Sequence, residues 1–165
     1  MHTFEARIYL IGITMKTMFF TTAALVAGLC AAPVAMAKTA ACHATTEKQI
    51  AALFDRWNAS LQTGEPARVV SNYADNSILL PTVSNKPRIS REEKLDYFEH
   101  FLPNKPAGKI DLSKIFIGCN TAVDAGLYTF TMGDGSTVKA RYTYTYVWTG
   151  KQWLISSHHS SRMPE

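Results

Sequence analysis

The sequence predicts a single α+β domain in which three helices pack in a strongly curved antiparallel sheet. Three observations favour this fold class. Two stretches with helical spacing of apolar residues each open with a capping box, and a shorter helix is expected between them. The second half of the chain is rich in β-forming residues and is divided by hairpin turns. The 165 residues suffice for one domain with a substantial core but not for two.

The first helix is expected to begin at a capping box, Thr46-Glu47-Lys48-Gln49. In this motif the Thr46 hydroxyl accepts the amide of Gln49, and the Gln49 side chain reaches back to the start of the helix. The apolar residues that follow fall on one helix face: Ile50, Leu53, Phe54, Trp57 and Leu61. We therefore expect a long amphipathic helix that ends near Gly64. A curved sheet wrapped around this helix would enclose a pocket.

A short helix and a short strand are expected next. Pro66 fits the first turn of the helix. Its apolar residues are Val69, Val70 and Tyr73. Asp75-Asn76 predicts a turn into an apolar strand, Ser77 to Leu80, which Pro81 ends.

The third helix follows a loop over residues 82–89. Ser90-Arg91-Glu92-Glu93 is a second capping box and marks where this helix begins. Its buried side is expected to carry Leu95, Phe98, Phe101 and Leu102. Pro103 is expected to close it.

The remaining chain predicts a meander of four strands. They are expected at Lys109 to Cys119, Thr121 to Met132, Val138 to Trp148 and Trp153 to Ser161. Gly133-Asp134-Gly135 and Thr149-Gly150-Lys151 are typical of hairpin turns between them. Helices followed by such a meander indicate an α+β layer architecture rather than a parallel sheet.

The N-terminal region has the features of a secretory signal peptide. Lys16 supplies a positive charge, Phe19 to Cys30 form an apolar run, and Ala35-Met36-Ala37 fits a cleavage site. We expect residues 1–37 to be the signal region, with the true start at Met15, and residues 38–165 to be a mature domain that is periplasmic or secreted. The alternative is a membrane anchor, which needs about 20 apolar residues, whereas Pro33 and Lys38 interrupt this run.

Two cysteines, Cys42 and Cys119, remain after the expected cleavage. Export to an oxidising compartment favours a disulfide between them, which would tie the N-terminal segment to the sheet. Closing so long a loop stabilises a fold by roughly 2–4 kcal/mol. The alternative is two unpaired thiols.

Charge and motifs exclude several functions. The formal net charge of +4 is mild and spread along the chain, so no nucleic-acid partner is expected. The chain has no Gly-rich loop, catalytic lysine motif or Asp-Phe-Gly segment, which excludes kinase activity. After signal cleavage no membrane contact is expected.

The expected strand ending at Trp148 carries a row of aromatic residues. Because strand side chains alternate between faces, Arg141 lies on the face opposite to Tyr142, Tyr144, Tyr146 and Trp148. The row either packs against the first helix, which is favoured, or contacts a ligand directly. Arg141 is the best candidate for fixing an anionic group, because a guanidinium binds carboxylates bidentately. The alternative for Arg141 is a salt bridge at the surface or at an interface.

His158 and His159 are adjacent on the last expected strand, so they point to opposite faces. They cannot readily ligate one metal ion together, and the other mature histidines are His43 and His100, so no metal site is expected. One of the pair is a candidate acid or base. The alternative is a histidine satisfied by the backbone and by buried tyrosine hydroxyls.

A Ser-His-Asp hydrolase would require Ser160, His159 and either Asp124 or Asp75. The chain lacks a G-x-S-x-G nucleophile elbow, and these serines lie in a strand near the C-terminus. The sequence therefore gives little support to this reaction class.

The segment Trp153 to Pro164 resembles the C-terminal strand of the calcium/calmodulin-dependent protein kinase II association-domain family. Leu79 to Thr82, Gly118 to Gly126 and Ala140 to Thr143 are similar to its stand-alone bacterial members. The resemblance covers residues 45–165, and the His-His-Ser-Ser end is its most specific part. It implies a nuclear transport factor 2-like, or cystatin-like, cone with a deep pocket, and dimers that build larger rings.

The resemblance also implies a pocket in which arginines can hold small carboxylates. At the matching positions this chain has Tyr146 and Ser160, so it departs from that charge pattern. Leu80 stands where ketosteroid isomerases of the wider superfamily carry a catalytic carboxylate, so their mechanism is not transferred.

Two hypotheses follow. The first is a non-catalytic exported module that forms homodimers or larger oligomers and binds a small organic ligand, such as a carboxylate. The expected ligand-binding residues are Trp57, Tyr73, Phe98, Arg141, Tyr144, Tyr146, His158, His159 and Ser160. The second is an isomerase- or dehydratase-type enzyme with His158 or His159 as base, Tyr144 as hydrogen-bond donor and Arg141 orienting the substrate. Neither hypothesis requires a cofactor.

Overall fold

The computed structural model describes residues 41–82 and 84–164, and the expected signal region lies outside them. Two helices come first, α1 (Glu47–Leu61) and α2 (Pro66–Val70), followed by strand β1 (Tyr73–Leu80) and helix α3 (Arg91–Phe101). A 3-10 turn, Leu102–Asn104, leads into four strands: β2 (Ala107–Ile117), β3 (Thr121–Thr131), β4 (Thr137–Trp148) and β5 (Trp153–Arg162). The predicted α+β class is confirmed, and both capping boxes are formed as expected.

The five strands form one curved sheet in the order β1-β5-β4-β3-β2. Strands β2 to β5 pair antiparallel with their neighbours, as the hairpin turns predict. Strand β1 instead pairs parallel with β5, with Leu79 beside His158, so the expected antiparallel sheet is in fact mixed. No hairpin joins β1 to β5, and turn signals therefore give no information about their relative direction.

Two predicted boundaries are wrong. Tyr73 begins β1 rather than belonging to α2, and Asp75-Asn76 lies inside that strand at a register shift rather than in a turn. Strand β2 begins at Ala107, two positions before the expected Lys109, and ends at Ile117. The Asn58 amide from α1 holds its beginning, because Asn58 Nδ2 donates to the Gly108 carbonyl and Gly108 N–H donates to Asn58 Oδ1, both at 2.8 Å.

The core lies between α1 and the sheet face that carries Tyr142, Tyr144 and Tyr146, which we call the inner face. Helix α1 buries four of its predicted apolar residues against this face: Ile50, Phe54, Trp57 and Leu61. The opposite, outer face is defined by the register of β2 to β5 as Leu112, Lys114, Phe116, Val123, Ala125, Leu127, Arg141, Thr143, Thr145, Ser157 and His159.

The N-terminal segment is fixed to the β2–β3 turn. The predicted Cys42–Cys119 disulfide is confirmed, and it links residues 77 positions apart. Asn120 adds two hydrogen bonds, since its Oδ1 accepts His43 N–H at 2.7 Å and its Nδ2 donates to the Ala41 carbonyl at 3.0 Å. The His43 ring stacks on Trp148 with centroids 3.6 Å apart. The first described residues are thus held against the end of the sheet.

Candidate ligand-binding site

A cavity of about 590 Å³ lies between α1, α3 and the inner face of the sheet. This volume falls within the range of small-molecule sites, about 300–1,000 Å³. Its walls are mainly aromatic and aliphatic: Trp57, Leu79, Pro81, Tyr97, Phe98, Phe101, Pro103, Tyr128, Phe130, Met132, Val138 and Ala140. The cavity is therefore shaped for a molecule with a large apolar surface.

The two ends of the cavity differ in polarity. Lys105 and Asp134 line it as exposed residues, and they carry its charged side chains at the solvent side. His158 and Ser160 line it as buried residues, at the end formed by β5. A ligand would meet charged groups at the mouth and uncharged polar groups at the inner end.

His158 is held rigidly at the inner end. Its Nδ1 lies 2.9 Å from the Tyr73 hydroxyl. The imidazole stacks on Tyr144, with centroids 4.1 Å apart, and meets the Trp57 indole edge-on at 5.4 Å. Burial, and secondarily the nearby His159, lowers the pKa of His158 to about 3. The ring is therefore neutral at physiological pH, and its Nε2 is buried without a hydrogen-bond partner in the described part of the protein.

Ser160 forms a small hydroxyl cluster beside His158. The Tyr128 hydroxyl donates to Ser160 Oγ at 2.5 Å, and the Thr82 hydroxyl contacts the same oxygen. Burial raises the pKa of Tyr128 well above its usual range, so its hydroxyl stays protonated. All three groups are uncharged hydrogen-bonding side chains that line the cavity.

The tyrosine row of β4 packs in the core beside the cavity rather than lining it. Tyr144 and Tyr146 are buried with stacked rings, and burial raises the pKa of both hydroxyls. Tyr142 donates to Asp124 Oδ1 at 3.0 Å, and Ser113 donates to the same oxygen at 2.6 Å. Within this row, Tyr144 packs against α1 as the favoured interpretation expects, with its ring centroid 6.2 Å from that of Phe54 and 5.8 Å from that of Trp57. Trp148 stacks on His43 instead.

The structure does not bring Arg141 or His159 to the cavity. Arg141 pairs in register with Leu127 and Ser161 on the outer face, and its Nη2 lies 3.4 Å from the Arg162 carbonyl. His159 is exposed on the same face, beside Thr143. Both positions follow from strand alternation, because Arg141 is adjacent to the inward-pointing Tyr142 and His159 is adjacent to the inward-pointing His158.

Of the residues expected to bind ligand, Trp57, Phe98, His158 and Ser160 line the cavity. Tyr73 does not line the cavity but contacts two residues that do, His158 and Phe98. Sequence reasoning missed Tyr128 and Phe130, although the alternation used for β4 would have placed both on the inner face of β3. It also missed Thr82, whose approach to Ser160 carried no sequence signal.

Two further observations concern the described residues alone. No helix among them is both long and apolar enough to cross a membrane. Within the same residues, no three His, Cys, Asp or Glu side chains cluster in a way that could hold a metal ion.

The curved sheet, the three helices and the enclosed cavity define a protein of the NTF2-like, or cystatin-like, class. Within that class the chain belongs to the calcium/calmodulin dependent protein kinase II association domain family, which it matches over residues 46–164. Comparison with curated proteins gives no match.

Solved structures support both levels of this assignment. A Xanthomonas campestris protein described as a calcium/calmodulin dependent protein kinase II association domain is 46% identical, with a TM-score of 0.71 over 78% of this chain and 99% of that one. An NTF2-like protein of unknown function from Pseudomonas putida KT2440 is 17% identical, with a TM-score of 0.64 over 72% and 87% of the two chains. A Caulobacter vibrioides protein with a cystatin-like fold is 15% identical, with a TM-score of 0.60 over 71% and 89%. The last two show the fold alone.

Proposed function

We propose that the mature chain is an exported, self-associating module, without kinase activity, whose cavity binds a small organic ligand. The observation that carries this proposal is the cavity itself, which combines an apolar wall with a buried polar inner end. Such a combination is typical of small-molecule sites, where a few polar groups orient a ligand held by apolar contact.

Export is supported by the leader pattern and by the disulfide. Cys42 lies five positions after Ala37, the expected cleavage site, and it is bonded to Cys119. Stable structural disulfides are typical of exported proteins and rare in the reducing cytosol. We therefore place the mature domain in the periplasm or outside the cell.

Self-association is supported by the outer face of the sheet. Leu112 and Phe116 expose 58% and 59% of their surfaces there, and Val123, Ala125 and Leu127 continue the apolar surface across β3. Large exposed apolar residues that form a continuous patch mark protein contacts more often than isolated ones do. The proposed occupant of this face is a second copy of the chain, as the association-domain family implies.

Native mass spectrometry of the oxidised protein, purified from the periplasm, tests self-association and ligand binding together. We expect an oligomer that retains one small molecule per cavity and releases it on mild denaturation. Ala140→Leu should displace this molecule, because Ala140 is buried and lines the cavity. Ala51→Leu, at an exposed position on α1, is the matched control. A monomer, or a ligand retained equally by both variants, would contradict the proposal.

A second candidate function is acid/base catalysis, for which one observation speaks directly. A histidine and a tyrosine lie within hydrogen-bond reach inside the protein, but the pair is His158 and Tyr73, while the hydroxyl of the expected Tyr144 has no partner among the described residues. The pKa of about 3 makes His158 a weak base at neutral pH. Arg141 lies on the outer face of the sheet, so it cannot orient a substrate in the cavity. Deuterium uptake from heavy water by the retained molecule would reveal catalysis, and its absence would leave binding as the function.

A further inference from the structure

We propose that the cavity selects an uncharged, largely apolar molecule and that His158 Nε2–H donates a hydrogen bond to its one buried acceptor oxygen, such as a ketone. This inference rests on the proposed ligand-binding function and specifies its ligand class. It replaces the carboxylate that the sequence suggested.

The first argument is the orientation of the His158 ring. Its Nδ1 faces the Tyr73 hydroxyl, and Tyr73 does not line the cavity, whereas the ring of His158 does. Its Nε2 is buried and makes no hydrogen bond within the described residues. Six buried side-chain atoms of the described residues lack a partner, and two of them, His158 Nε2 and Trp57 Nε1, belong to residues that line the cavity. Because buried polar atoms are nearly always paired, we take a ligand group at the inner end as the partner of Nε2.

The second argument assigns the proton. A tyrosine hydroxyl donates readily to the unprotonated nitrogen of a neutral imidazole, and the other ring nitrogen of that tautomer carries the hydrogen. The 2.9 Å contact fits either direction, and we assign the Tyr73 hydroxyl as its donor and His158 Nδ1 as its acceptor. In that tautomer the other ring nitrogen of His158 is a donor, Nε2–H. The ligand atom that it meets must therefore be an acceptor.

The third argument is the position of the positive charges. Arg141 lies on the outer face, and Lys105 lines the cavity only as an exposed residue. Lys94 is buried but does not line the cavity, because its Nζ donates to the carbonyls of Ser77 and Ile89 at 2.8 and 2.5 Å. A carboxylate at the inner end would be buried without a cation, which is strongly unfavourable.

The fourth argument is that the other inner-end hydroxyls already have partners. Ser160 bonds with both Tyr128 and Thr82. A ligand that used these groups would have to break existing hydrogen bonds, which His158 Nε2 does not require. The unpartnered buried groups of the cavity wall, among the described residues, are therefore two nitrogens, His158 Nε2 and Trp57 Nε1, and both require an acceptor on the ligand.

Three compounds of similar shape test the inference by equilibrium dialysis: benzophenone, which has an acceptor oxygen, diphenylmethane, which has none, and diphenylacetate, which is charged. We expect benzophenone to bind about tenfold more tightly than diphenylmethane, as one buried hydrogen bond provides, and diphenylacetate to bind most weakly. His158→Phe should remove the advantage of benzophenone while diphenylmethane still binds. His159→Phe, on the outer face, should change nothing.

The outcomes separate the inference from the function on which it rests. Preference for diphenylacetate would overturn the inference while leaving the cavity a ligand site. Failure of all three compounds to bind the folded protein would overturn both. If His158→Phe does not fold, histidine labelled with nitrogen-15 in the unaltered protein decides the matter, because benzophenone should shift the Nε2–H resonance of His158 and diphenylmethane should not.

Discussion

At the residue scale, His158 shows how a titratable side chain is used as an uncharged one. Its ring is enclosed by Trp57 of α1, Tyr73 of β1 and Tyr144 of β4, and none of these carries a charge at neutral pH. Burial therefore favours the neutral imidazole, and the adjacent His159 adds to the effect. The consequence is a polar group that can donate or accept a hydrogen bond without attracting an ion.

The same burial predicts a pH dependence of stability. The pKa of His158 falls from 6.5 in the unfolded chain to about 3 in the folded one, so only the unfolded chain takes up this proton between those values. The contribution of His158 is fully present above pH 6.5 and is lost as the pH falls, by about 2 kcal/mol at pH 5. Urea unfolding followed at several pH values measures it.

A comparison with His158→Phe isolates this contribution from the carboxyl groups, which titrate identically in both proteins. The free energy of unfolding of the unaltered protein should fall more steeply below pH 6.5 than that of the variant. His100→Phe serves as the control, because that residue is exposed on α3. Parallel pH profiles for His158→Phe and the unaltered protein would show that His158 is not buried in the way described.

At the scale of single elements, α1 is joined to the sheet by a specific polar contact as well as by apolar packing. Asn58 makes two hydrogen bonds to the backbone of Gly108 in β2, and an added Cβ at Gly108 would approach Phe54 and Phe130 to 3.0 Å. The side chain amide thus fixes the edge strand beside the helix that forms one wall of the cavity.

Asn58→Asp should remove the hydrogen bond to the Gly108 carbonyl, because a carboxylate oxygen would face that carbonyl in place of the donating NH₂. We expect a loss of about 1 kcal/mol in the free energy of unfolding, because the half-buried Gly108 carbonyl loses its donor. Asn85→Asp, in an exposed loop, makes the same chemical change as a control. Equal urea midpoints for the two variants would contradict the role given to Asn58.

The disulfide is a second link between distant parts of the chain, because it joins the segment before α1 to the turn between β2 and β3. Replacing both Cys42 and Cys119 by Ser should lower the free energy of unfolding by roughly 2–4 kcal/mol, because the bond closes a loop of 77 positions. Thermal unfolding with and without dithiothreitol measures this effect. Reductant should destabilise the unaltered protein and leave the double variant unchanged, and an unaltered protein insensitive to complete reduction would refute the prediction.

The elements that sequence predicted well are those specified by local signals. The capping boxes at Thr46 and Ser90 fixed where α1 and α3 begin, and hairpin turns fixed the antiparallel strands. Tyr73 was misplaced because its position depends on β5, with its partner His158 85 positions away. Such a contact leaves no trace in local periodicity.

The candidate site was predicted only in part, for a related reason. Arg141 was chosen for its chemistry, although alternation along β4 already placed it on the face opposite to Tyr142 and Tyr144. Tyr128 lies on the inner face by the same alternation in β3, but the predicted site drew its aromatic residues from β4. Residue type suggested which groups could bind a ligand, but the face of the strand decided which ones line the cavity.

At the scale of the whole molecule, the two faces of the sheet have separate roles in the proposed function. The inner face closes over α1 and forms the cavity, while the outer face leaves Leu112 and Phe116 exposed on the edge strand β2. Lys114 lies between them, with its ammonium 5.8 Å from the centroid of the Phe116 ring. A contact between copies through this face could form without obstructing the ligand.

Phe116→Asp should therefore dissociate the proposed oligomer while leaving ligand binding intact. Phe116 is 59% exposed, so its replacement removes little core packing. A carboxylate in an apolar contact between two copies would lose its hydration, and the desolvation of a buried ion pair can exceed the attraction that the neighbouring Lys114 supplies. Ile89→Asp is the matched control, because Ile89 is 60% exposed and lies just before α3, away from the outer face. Analytical ultracentrifugation should show a smaller species for Phe116→Asp alone, with benzophenone binding unchanged in both variants. An oligomer that survives Phe116→Asp and dissociates with Ile89→Asp would move the contact from the outer face to the region around α3.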